Sequence, residues 1–399
     1  MADPKGVLIS MDESLMNHDP YLALHYGEDK HQYLNAMSPP VFMTSLHTMD
    51  TIEDYYNVPK GAYLYGRYGN PTVELAEKKI AAMERGKRAF LYASGMAAST
   101  AAVMAVCSSG SHVICVHNAY NVLQSFLRDY TRKDLNISVS FVHGDRMEEI
   151  EAAIQDNTAM IILESPGTAT FSLNDFEAIA KLAKPRGIVT YVDNTYCSPE
   201  LQKPLTMGID IVMHSCTKYL AGHSDLLGGV LVTSDPKIID RLAQQRIWFG
   251  GILGPMEAWL LIRGMRTLGA RMKQHAQTGQ IVAEALEKNP KIKKVYYPGL
   301  KSHPQYELAK KQQVASSGLL SFEINASPEV AMQVVNRLKI FQIGPSWGGY
   351  ESLVVMPLYG NTEEYVEWYG GSRGLIRIHC GLEGADVLLK DIEQSLEIV

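Results

Sequence analysis

The sequence of 399 residues lacks the features that mark membrane, secreted and zinc-binding proteins. It contains no apolar run of about 18 residues, so we expect no membrane-spanning helix. The opening residues MADPKGVLIS carry no basic segment followed by an apolar one, so we expect no secretory signal. The five cysteines never form a CxxC pair, which favours reduced thiols and a cytoplasmic location over disulfides or zinc ligands.

The chain also has little excess charge and lacks two common phosphate-binding motifs. Its 37 basic and 43 acidic residues give a net charge of −6, which argues against a surface for nucleic acid. Neither GxxxxGKS/T nor GxGxxG after an apolar strand occurs, and the histidines lack metal-binding spacing, so we expect no metal. The composition, 46% hydrophobic and 20% charged, is that of a soluble globular protein with two or three domains.

Apolar strands and helices alternate from about residue 71 onward. Segments such as RAFLYAS and AMIILES have the composition of buried strands, and PTVELAEKKIAAMERG has helical periodicity with a proline start and a glycine stop. This alternation predicts an α/β fold in which helices cover both faces of a mostly parallel sheet. The stretch from GPMEAWLLIRG onward predicts one long helix or two abutting helices.

We therefore divide the chain into three parts. Residues 1–60 are poor in periodic apolar positions and are expected to form an irregular arm. Residues 61–255 form the large α/β domain, and residues 256–399 form a smaller C-terminal α/β domain that the long helix enters.

A single lysine, Lys218, follows an apolar strand in the stretch MHSCTKYLAGHSD, and Asp193 ends the preceding strand in YVDNT. In parallel sheets of this kind, ligands bind beyond the carboxyl ends of the strands. Backbone amides at a helix start and two hydroxyls that flank the lysine complete an expected anion-binding nest at Gly95, Met96, Ser215 and Thr217.

A lysine, a strand-end carboxylate and an anion nest are the parts that pyridoxal phosphate requires. The lysine binds the cofactor covalently, the aspartate keeps the pyridine nitrogen protonated, and the nest and hydroxyls hold the phosphate. The alternative is that Lys218 is a solvated loop cation and Asp193 a helix cap.

The motifs YGRYGNPT, ASGMAA, DNTY and HSCTKYLAGHSD resemble those of the Cys/Met-metabolism family of fold-type I pyridoxal-phosphate enzymes. The resemblance runs in order from about residue 38 to residue 397. It implies a large domain with a mostly parallel seven-stranded sheet, a smaller C-terminal α/β domain, and pyridoxal 5'-phosphate as the cofactor. Lys218 matches the lysine that holds this cofactor.

The resemblance also implies an assembly with shared active sites. Tyr65 and Arg67, in YGRYGNPT, match residues that reach the cofactor phosphate of the neighbouring subunit. A dimer at minimum, and typically a tetramer, is therefore expected, with the arm of residues 1–60 docked across the interface. Taken singly, the two residues would be a core aromatic and a surface cation.

Further site residues follow from the same resemblance. Tyr120 matches the tyrosine that stacks on the cofactor ring, and Arg377 matches the arginine that binds the substrate α-carboxylate. Ser346 lies where the family contacts that carboxylate, and Trp347 follows it in a Gly-containing turn. The alternatives are a strand-end aromatic for Tyr120, a surface strand arginine for Arg377 and a core aromatic for Trp347.

Two departures from the common family pattern favour one branch. The loop SWGG, with Trp347 where much of the family has leucine, and ESPGTATFS from Glu164 onward both resemble cystathionine β-lyase. We therefore expect a carbon–sulfur lyase of methionine and cysteine metabolism that converts cystathionine or a cysteine conjugate to a thiol, pyruvate and ammonia.

Other features of the sequence keep two alternatives open. The segment GNPTVE and Pro345 in FQIGPSW favour a γ-acting relative: methionine γ-lyase, cystathionine γ-lyase or a γ-replacing synthase. A cofactor-free binding module on the same fold is an alternative of a different class.

Overall fold

The computed structural model describes residues 13–59 and 61–399, so the predictions for residues 1–12 and Lys60 lie outside the described residues. The N-terminal part, which we expected to be irregular, contains two short helices, α1 (Asp19–His25) and α2 (Ile52–Tyr56). Helix α1 packs against its own subunit, because its residues Leu22 and Ala23 are buried in the single chain. Docking of the arm across an interface stays a prediction.

In the described residues, one sheet of seven strands forms the centre of the large part of the fold, with the order β1-β7-β6-β5-β4-β2-β3. Its strands are β1 (Arg88–Tyr92), β2 (His112–Val116), β3 (Ser138–Val142), β4 (Thr158–Glu164), β5 (Val189–Asp193), β6 (Ile211–Ser215) and β7 (Gly229–Thr233). Only the pairings of β7 with β1 and with β6 are antiparallel. The predicted, mostly parallel seven-stranded sheet is therefore confirmed.

Helices cover both faces of this sheet. Successive side chains of each strand point to opposite faces, and apolar residues on both faces form two separate cores. Leu91 of β1 packs in one core, and Phe90, its neighbour in sequence, packs in the other. The helices of this part are α3 (Pro71–Met83), α4 (Gly95–Val106), α5 (Asn121–Ser125), α6 (Arg132–Asp134), α7 (Met147–Ala152), α8 (Phe176–Ala183), α9 (Ser198–Leu201) and α10 (Pro236–Phe249).

The long helical stretch divides in two, α11 (Pro255–Met265) and α12 (Leu268–Lys288), which is the second of the two expected forms. It leads to a five-stranded sheet with the order β10-β11-β12-β9-β8. Its strands are β8 (Ile292–Tyr296), β9 (Leu319–Ile324), β10 (Gln342–Ile343), β11 (Leu353–Val355) and β12 (Ile376–His379). The remaining helices are α13 (Tyr306–Gln312), α14 (Pro328–Arg337), α15 (Glu363–Tyr369) and α16 (Ala385–Ser395).

Short helical turns of other types complete the described chain: 3-10 turns at Glu13–Asn17, Lys30–Tyr33, Lys184–Arg186, Pro204–Met207 and Leu396–Ile398, and a π-helical segment at Phe126–Thr131. None of the described helices is both long and apolar enough to cross a membrane.

Candidate active site

The candidate site lies where the carboxyl ends of β5 and β6 meet the start of α4. Asp193 is the last residue of β5 and is paired in register with Met213 of β6. Lys218 follows β6 by three residues, in a turn where its amide donates to the Ser215 carbonyl at 3.1 Å. Parallel neighbouring strands thus bring the carboxylate and the amine to one edge of the sheet, as the sequence predicted.

The start of α4 carries the backbone amides that we expect to form an anion nest. Ser94 caps the helix, its Oγ accepting from the Ala97 amide at 3.0 Å. A side chain at Gly95 would place its Cβ 3.2 Å from the Cβ of Ser215, so the helix start and the end of β6 lie against each other. The amides of Gly95 and Met96, in the first helical turn, have no carbonyl partner within the helix and favour an anion.

Thr217, the second predicted hydroxyl, is held by the backbone of its own loop. Its Oγ1 accepts from the Gly228 amide at 3.1 Å and lies 3.3 Å from the Gly228 carbonyl oxygen. This pair places the hydroxyl next to the turn that carries Lys218. Its predicted role in phosphate binding stays a prediction.

Lys218 is partly buried, and its amine is held by the C-terminal part of the fold. Its Nζ donates to Ser346 Oγ at 2.7 Å and lies 5.3 Å from the ring centroid of Trp347. Burial, together with the positive charge of Arg377, lowers the pKa of Lys218 to about 8, while Asp193 opposes the shift. These surroundings do not fit the alternative of a solvated loop cation.

Asp193 is held by the residues that follow it in the chain. Its Oδ1 accepts from the Thr195 amide at 2.9 Å and from the Thr195 hydroxyl. Burial raises the pKa of Asp193, against the effect of these hydrogen bonds. Because the next helix, α9, begins only at Ser198, Asp193 is not the helix cap of the alternative interpretation.

Arg377 lies in β12, between strands β9 and β11, rather than on an outer strand of that sheet. Its Nη1 donates to Thr168 Oγ1 at 3.3 Å. Burial lowers the pKa of Arg377 to about 10. The alternative of an exposed surface arginine is therefore wrong, and the guanidinium lies close enough to Lys218 to lower the pKa of the amine.

The turn that carries Ser346 and Trp347 packs directly on the lysine loop. Gly348 has φ +85°, and a Cβ there would lie 2.8 Å from the amide nitrogen of Tyr219. Trp347 is partly buried, with its ring centroid 5.6 Å from that of Tyr219. Trp347 thus packs against the core and also lies beside the lysine amine. It has features of both a core aromatic and a residue at a ligand site.

Tyr65, Arg67 and Tyr120 have no described contact with Lys218 in their own chain. Tyr120 stands at the start of α5, and the residue is 48% exposed. Arg67 donates to the Ile247 carbonyl, and its guanidinium lies 5.5 Å from the ring centroid of Tyr65 and 5.1 Å from that of Tyr68. The predicted roles of Tyr65 and Arg67 in a neighbouring site stay predictions.

Glu164 is a site residue that the sequence interpretation missed. It ends β4 and is paired in register with Asp193 of β5, so two carboxylates lie side by side at the sheet edge. Burial, reinforced by the charge of Asp193, raises the pKa of Glu164. The sequence did contain a signal for Glu164. It is the last residue of the strand AMIILE, just as Asp193 is the last residue of the strand VTYVD.

These residues fit pyridoxal phosphate. The amides at the start of α4 and the hydroxyl of Ser215 would hold the phosphate, and Lys218 would bind the cofactor covalently. Asp193 would face the ring nitrogen through Oδ2, because both Thr195 contacts go to Oδ1. A partly buried carboxylate with a raised pKa is suited to a cationic partner such as a protonated ring nitrogen.

Comparison with known proteins identifies the family. The pattern of the family described as "Cys/Met metabolism PLP-dependent enzyme" matches residues 21–397. The chain belongs to this family. Its cofactor is accordingly pyridoxal phosphate, and the alternative of a cofactor-free binding module loses its support.

Relatives with different activities are about equally similar to this family member. It is 36% identical to L-methionine gamma-lyase of Fusobacterium nucleatum subsp. nucleatum, over 94% of this chain and 97% of the relative. It is 38% identical to cystathionine gamma-lyase of Bacillus subtilis, over 94% and 98% of the two chains. It is 36% identical to cystathionine beta-lyase MetC of the same organism, over 91% and 92%.

A solved structure of MetB from Corynebacterium glutamicum has the same fold. It superposes with a TM-score of 0.90 at 32% sequence identity, over 95% of this chain and 98% of that chain. The family and the fold are therefore established, and the protein is a PLP-dependent enzyme of sulfur amino-acid metabolism.

Proposed function

We propose that the enzyme is a carbon–sulfur lyase that performs α,β-elimination on cystathionine or a related cysteine conjugate. With one water consumed, the products are a thiol, pyruvate and ammonia. The observation that carries this proposal is the position of Trp347, whose ring lies 5.3 Å from the amine of Lys218. Much of the family has leucine at this point of the SWGG loop.

The reaction at Cβ requires fewer proton transfers than a reaction at Cγ. α,β-Elimination needs one proton removed, from Cα, whereas γ-elimination also needs one removed from Cβ. The amine of Lys218 is flanked by Ser346 Oγ, at 2.7 Å, and by the indole of Trp347. We infer that the indole, which replaces leucine in this loop, restricts movement of the amine toward a second carbon, and this supports the shorter sequence of steps.

The proposed roles of the side chains follow from their chemistry. Pyridoxal phosphate, when bound, accepts the electron pair that the broken Cα–H bond leaves. Lys218 would anchor the cofactor and take the Cα proton. Arg377 would hold the substrate α-carboxylate with its planar guanidinium, and Ser346 would contact the same carboxylate. Tyr120 would face the cofactor ring and help to deprotonate the incoming amine.

A γ-acting enzyme is the second candidate. Pro345, in place of the tyrosine that bacterial β-lyases tend to carry, and the segment GNPTVE favour it. The relatives named as methionine and cystathionine gamma-lyases are as similar to this chain as the beta-lyase is.

Product analysis separates the two candidates. Purified holoenzyme is supplied with cystathionine, and both keto acids are measured. We expect pyruvate as the main keto acid, and we expect the Trp347→Leu variant to raise the share of 2-oxobutanoate because the amine then moves more freely. Wild-type enzyme that forms mainly 2-oxobutanoate would show that the γ-acting candidate is correct.

We further propose that the enzyme works in the cytoplasm as a homodimer or homotetramer with active sites shared between subunits. The N-terminal part supports the assembly, since large apolar side chains there are exposed to solvent in the single chain: Leu34, Met37, Met43, Ile52 and Tyr56. An interface with a second subunit would bury these side chains. The five buried, free cysteines support a reducing compartment.

A further inference from the structure

Glu164 contacts two parts of the active site from the end of β4. It is paired with Asp193 in the sheet register, but its side chain accepts a hydrogen bond from a different segment of the chain. Its Oε2 accepts from the Tyr120 amide at 2.7 Å, a contact between residues 44 positions apart in the chain. Tyr120 stands at the start of α5, where no side chain of the local sequence caps the helix. Glu164 therefore sets the position of the Tyr120 backbone.

A second connection runs from the Glu164 segment to Arg377. The Thr168 amide donates to the carbonyl of Asn118, two residues before Tyr120, at 3.1 Å. The hydroxyl of Thr168 accepts from Arg377 Nη1 at 3.3 Å. The guanidinium thus contacts a residue that is hydrogen-bonded to the segment of Asn118 and Tyr120, and Glu164 accepts the Tyr120 amide of that same segment.

The segments that carry Glu164 and Tyr120 are packed too closely to move independently. A Cβ at Gly167 would lie 1.8 Å from Asn118 Nδ2, so only glycine permits this approach. Asn118 in turn donates through Nδ2 to Ser172 Oγ at 2.7 Å. A shift of Glu164 would therefore move both segments together.

We propose that Glu164 is a positioning residue that fixes Tyr120 and Arg377 relative to each other. It acts by accepting the hydrogen bond of the Tyr120 amide at the end of β4, while the neighbouring Asp193 would face the cofactor. The inference rests on the proposed roles of Tyr120, at the cofactor ring, and of Arg377, at the substrate carboxylate. Glu164 would thus connect cofactor orientation with substrate orientation.

Two substitutions at this position test the proposal in the holoenzyme. Glu164→Ala removes the acceptor, and Glu164→Gln keeps an oxygen that can accept from the Tyr120 amide. Amide hydrogen exchange at Tyr120 and the steady-state kinetics with cystathionine are both measured. We expect Glu164→Ala to speed Tyr120 exchange about tenfold or more and to lower kcat/KM by a similar factor, while Glu164→Gln restores most of both.

Glu149 offers a matched control. Its Oε2 accepts from the His143 amide at 2.9 Å, the same kind of contact, at a helix outside the candidate site. Glu149→Ala should speed exchange at His143 and leave kcat/KM unchanged.

Thr168→Val tests the second connection by itself, because it removes the hydroxyl that accepts from Arg377. We expect KM to rise about fivefold or more while Tyr120 exchange stays as in wild type.

Two results would overturn the proposal. One is Tyr120 exchange in Glu164→Ala within about twofold of wild type. The other is a Glu164→Gln enzyme that is as impaired as Glu164→Ala although its Tyr120 amide remains protected, because the charge and not the hydrogen bond would then matter. Exchange is measured without substrate, so an enzyme that forms 2-oxobutanoate would contradict the proposed function and leave this inference standing.

Discussion

The amine of Lys218 donates a hydrogen bond to the hydroxyl of Ser346 at 2.7 Å, across 128 positions of the chain. Lys218 follows a strand of the seven-stranded sheet, and Ser346 lies between two strands of the five-stranded sheet. The candidate site is therefore assembled between two parts of the fold. Changes in the loop of Ser346 should act on the lysine even where they touch no substrate.

Gly348→Ala tests this dependence. At φ +85° an alanine is strained by about 1 kcal/mol, and its Cβ would lie 2.8 Å from the Tyr219 amide nitrogen, on the lysine loop. We expect the variant to fold with reduced stability and to lose about tenfold or more in kcat/KM, because the loop must shift away from Lys218. Thermal unfolding and steady-state kinetics measure the two effects.

Gly360→Ala is the matched control for that variant. Gly360 has φ +81°, nearly the same backbone strain, but a Cβ there meets no atom within 4 Å. It should lose a similar free energy of unfolding from strain and keep its activity. Equal kinetic constants in the two variants would show that the contact between Gly348 and the lysine loop has no effect on the reaction.

The sequence predicted those features of the fold and site that depend on local pattern. Apolar runs gave the strands of the large sheet, and the order of strands and helices gave its mostly parallel pairing. Lys218 and Asp193 were identified because each directly follows or ends such a run, and parallel strands must bring their carboxyl ends together.

Contacts between distant segments were not predictable in the same way. The pair of Tyr120 and Glu164 depends on how a loop returns to a strand end, and no local pattern encodes that return. Arg266 and Thr267 occupy the break between α11 and α12, with Gly264 and Gly269 close on either side, and glycines inside a helical pattern left one helix or two open. Tertiary packing decided both.

Lys218→Ala should abolish turnover. The lysine is proposed both to anchor the cofactor and to carry the Cα proton, so we expect less than about a hundredth of the wild-type rate, a loss of roughly 3 kcal/mol or more. Cofactor should still bind noncovalently through the amides at the start of α4, which dialysis and phosphate analysis would detect. A purified variant that retains a larger rate contradicts the assignment.

Asp193→Asn should change how the stability of the cofactor-free protein depends on pH. Burial raises the pKa of Asp193 in the folded state, so the folded protein binds more protons than the unfolded one between the two pKa values. The contribution of Asp193 to the free energy of unfolding therefore falls as pH rises from about 4 through the folded pKa, by about 1.4 kcal/mol for each pH unit between them.

The variant removes the contribution of Asp193 to this fall. Denaturant unfolding at pH 4 and pH 7 should show a change in the free energy of unfolding, from the lower to the higher pH, that is more positive for Asp193→Asn than for wild type, while the exposed Asp156→Asn should behave as wild type. With cofactor bound, the same variant should slow exchange of the substrate Cα proton with deuterated solvent. A pH dependence identical to that of wild type would mean that Asp193 ionises freely in the folded protein.

Mixed assemblies of two inactive variants test the shared site. Arg67→Ala would damage the part of the site that a subunit donates to its partner, and Lys218→Ala the part that it keeps. In a mixed dimer, one site receives both defects and the other combines an intact Lys218 with an intact Arg67 from the other chain. Co-expression of differently tagged chains and purification of the mixed species should therefore recover up to one working site in two.

The single-chain contacts of Arg67 make the result informative in either direction. Its guanidinium already donates to the Ile247 carbonyl and packs on Tyr65 and Tyr68, which is enough to give it a structural role within its own subunit. If that role were the whole of its function, the Arg67→Ala subunit would be defective in its own site, and mixing with Lys218→Ala would restore nothing. If the mixed species is active while each variant by itself is inactive, Arg67 must act in the partner's site. Only that arrangement gives one site of the mixed dimer both an intact Lys218 and an intact Arg67.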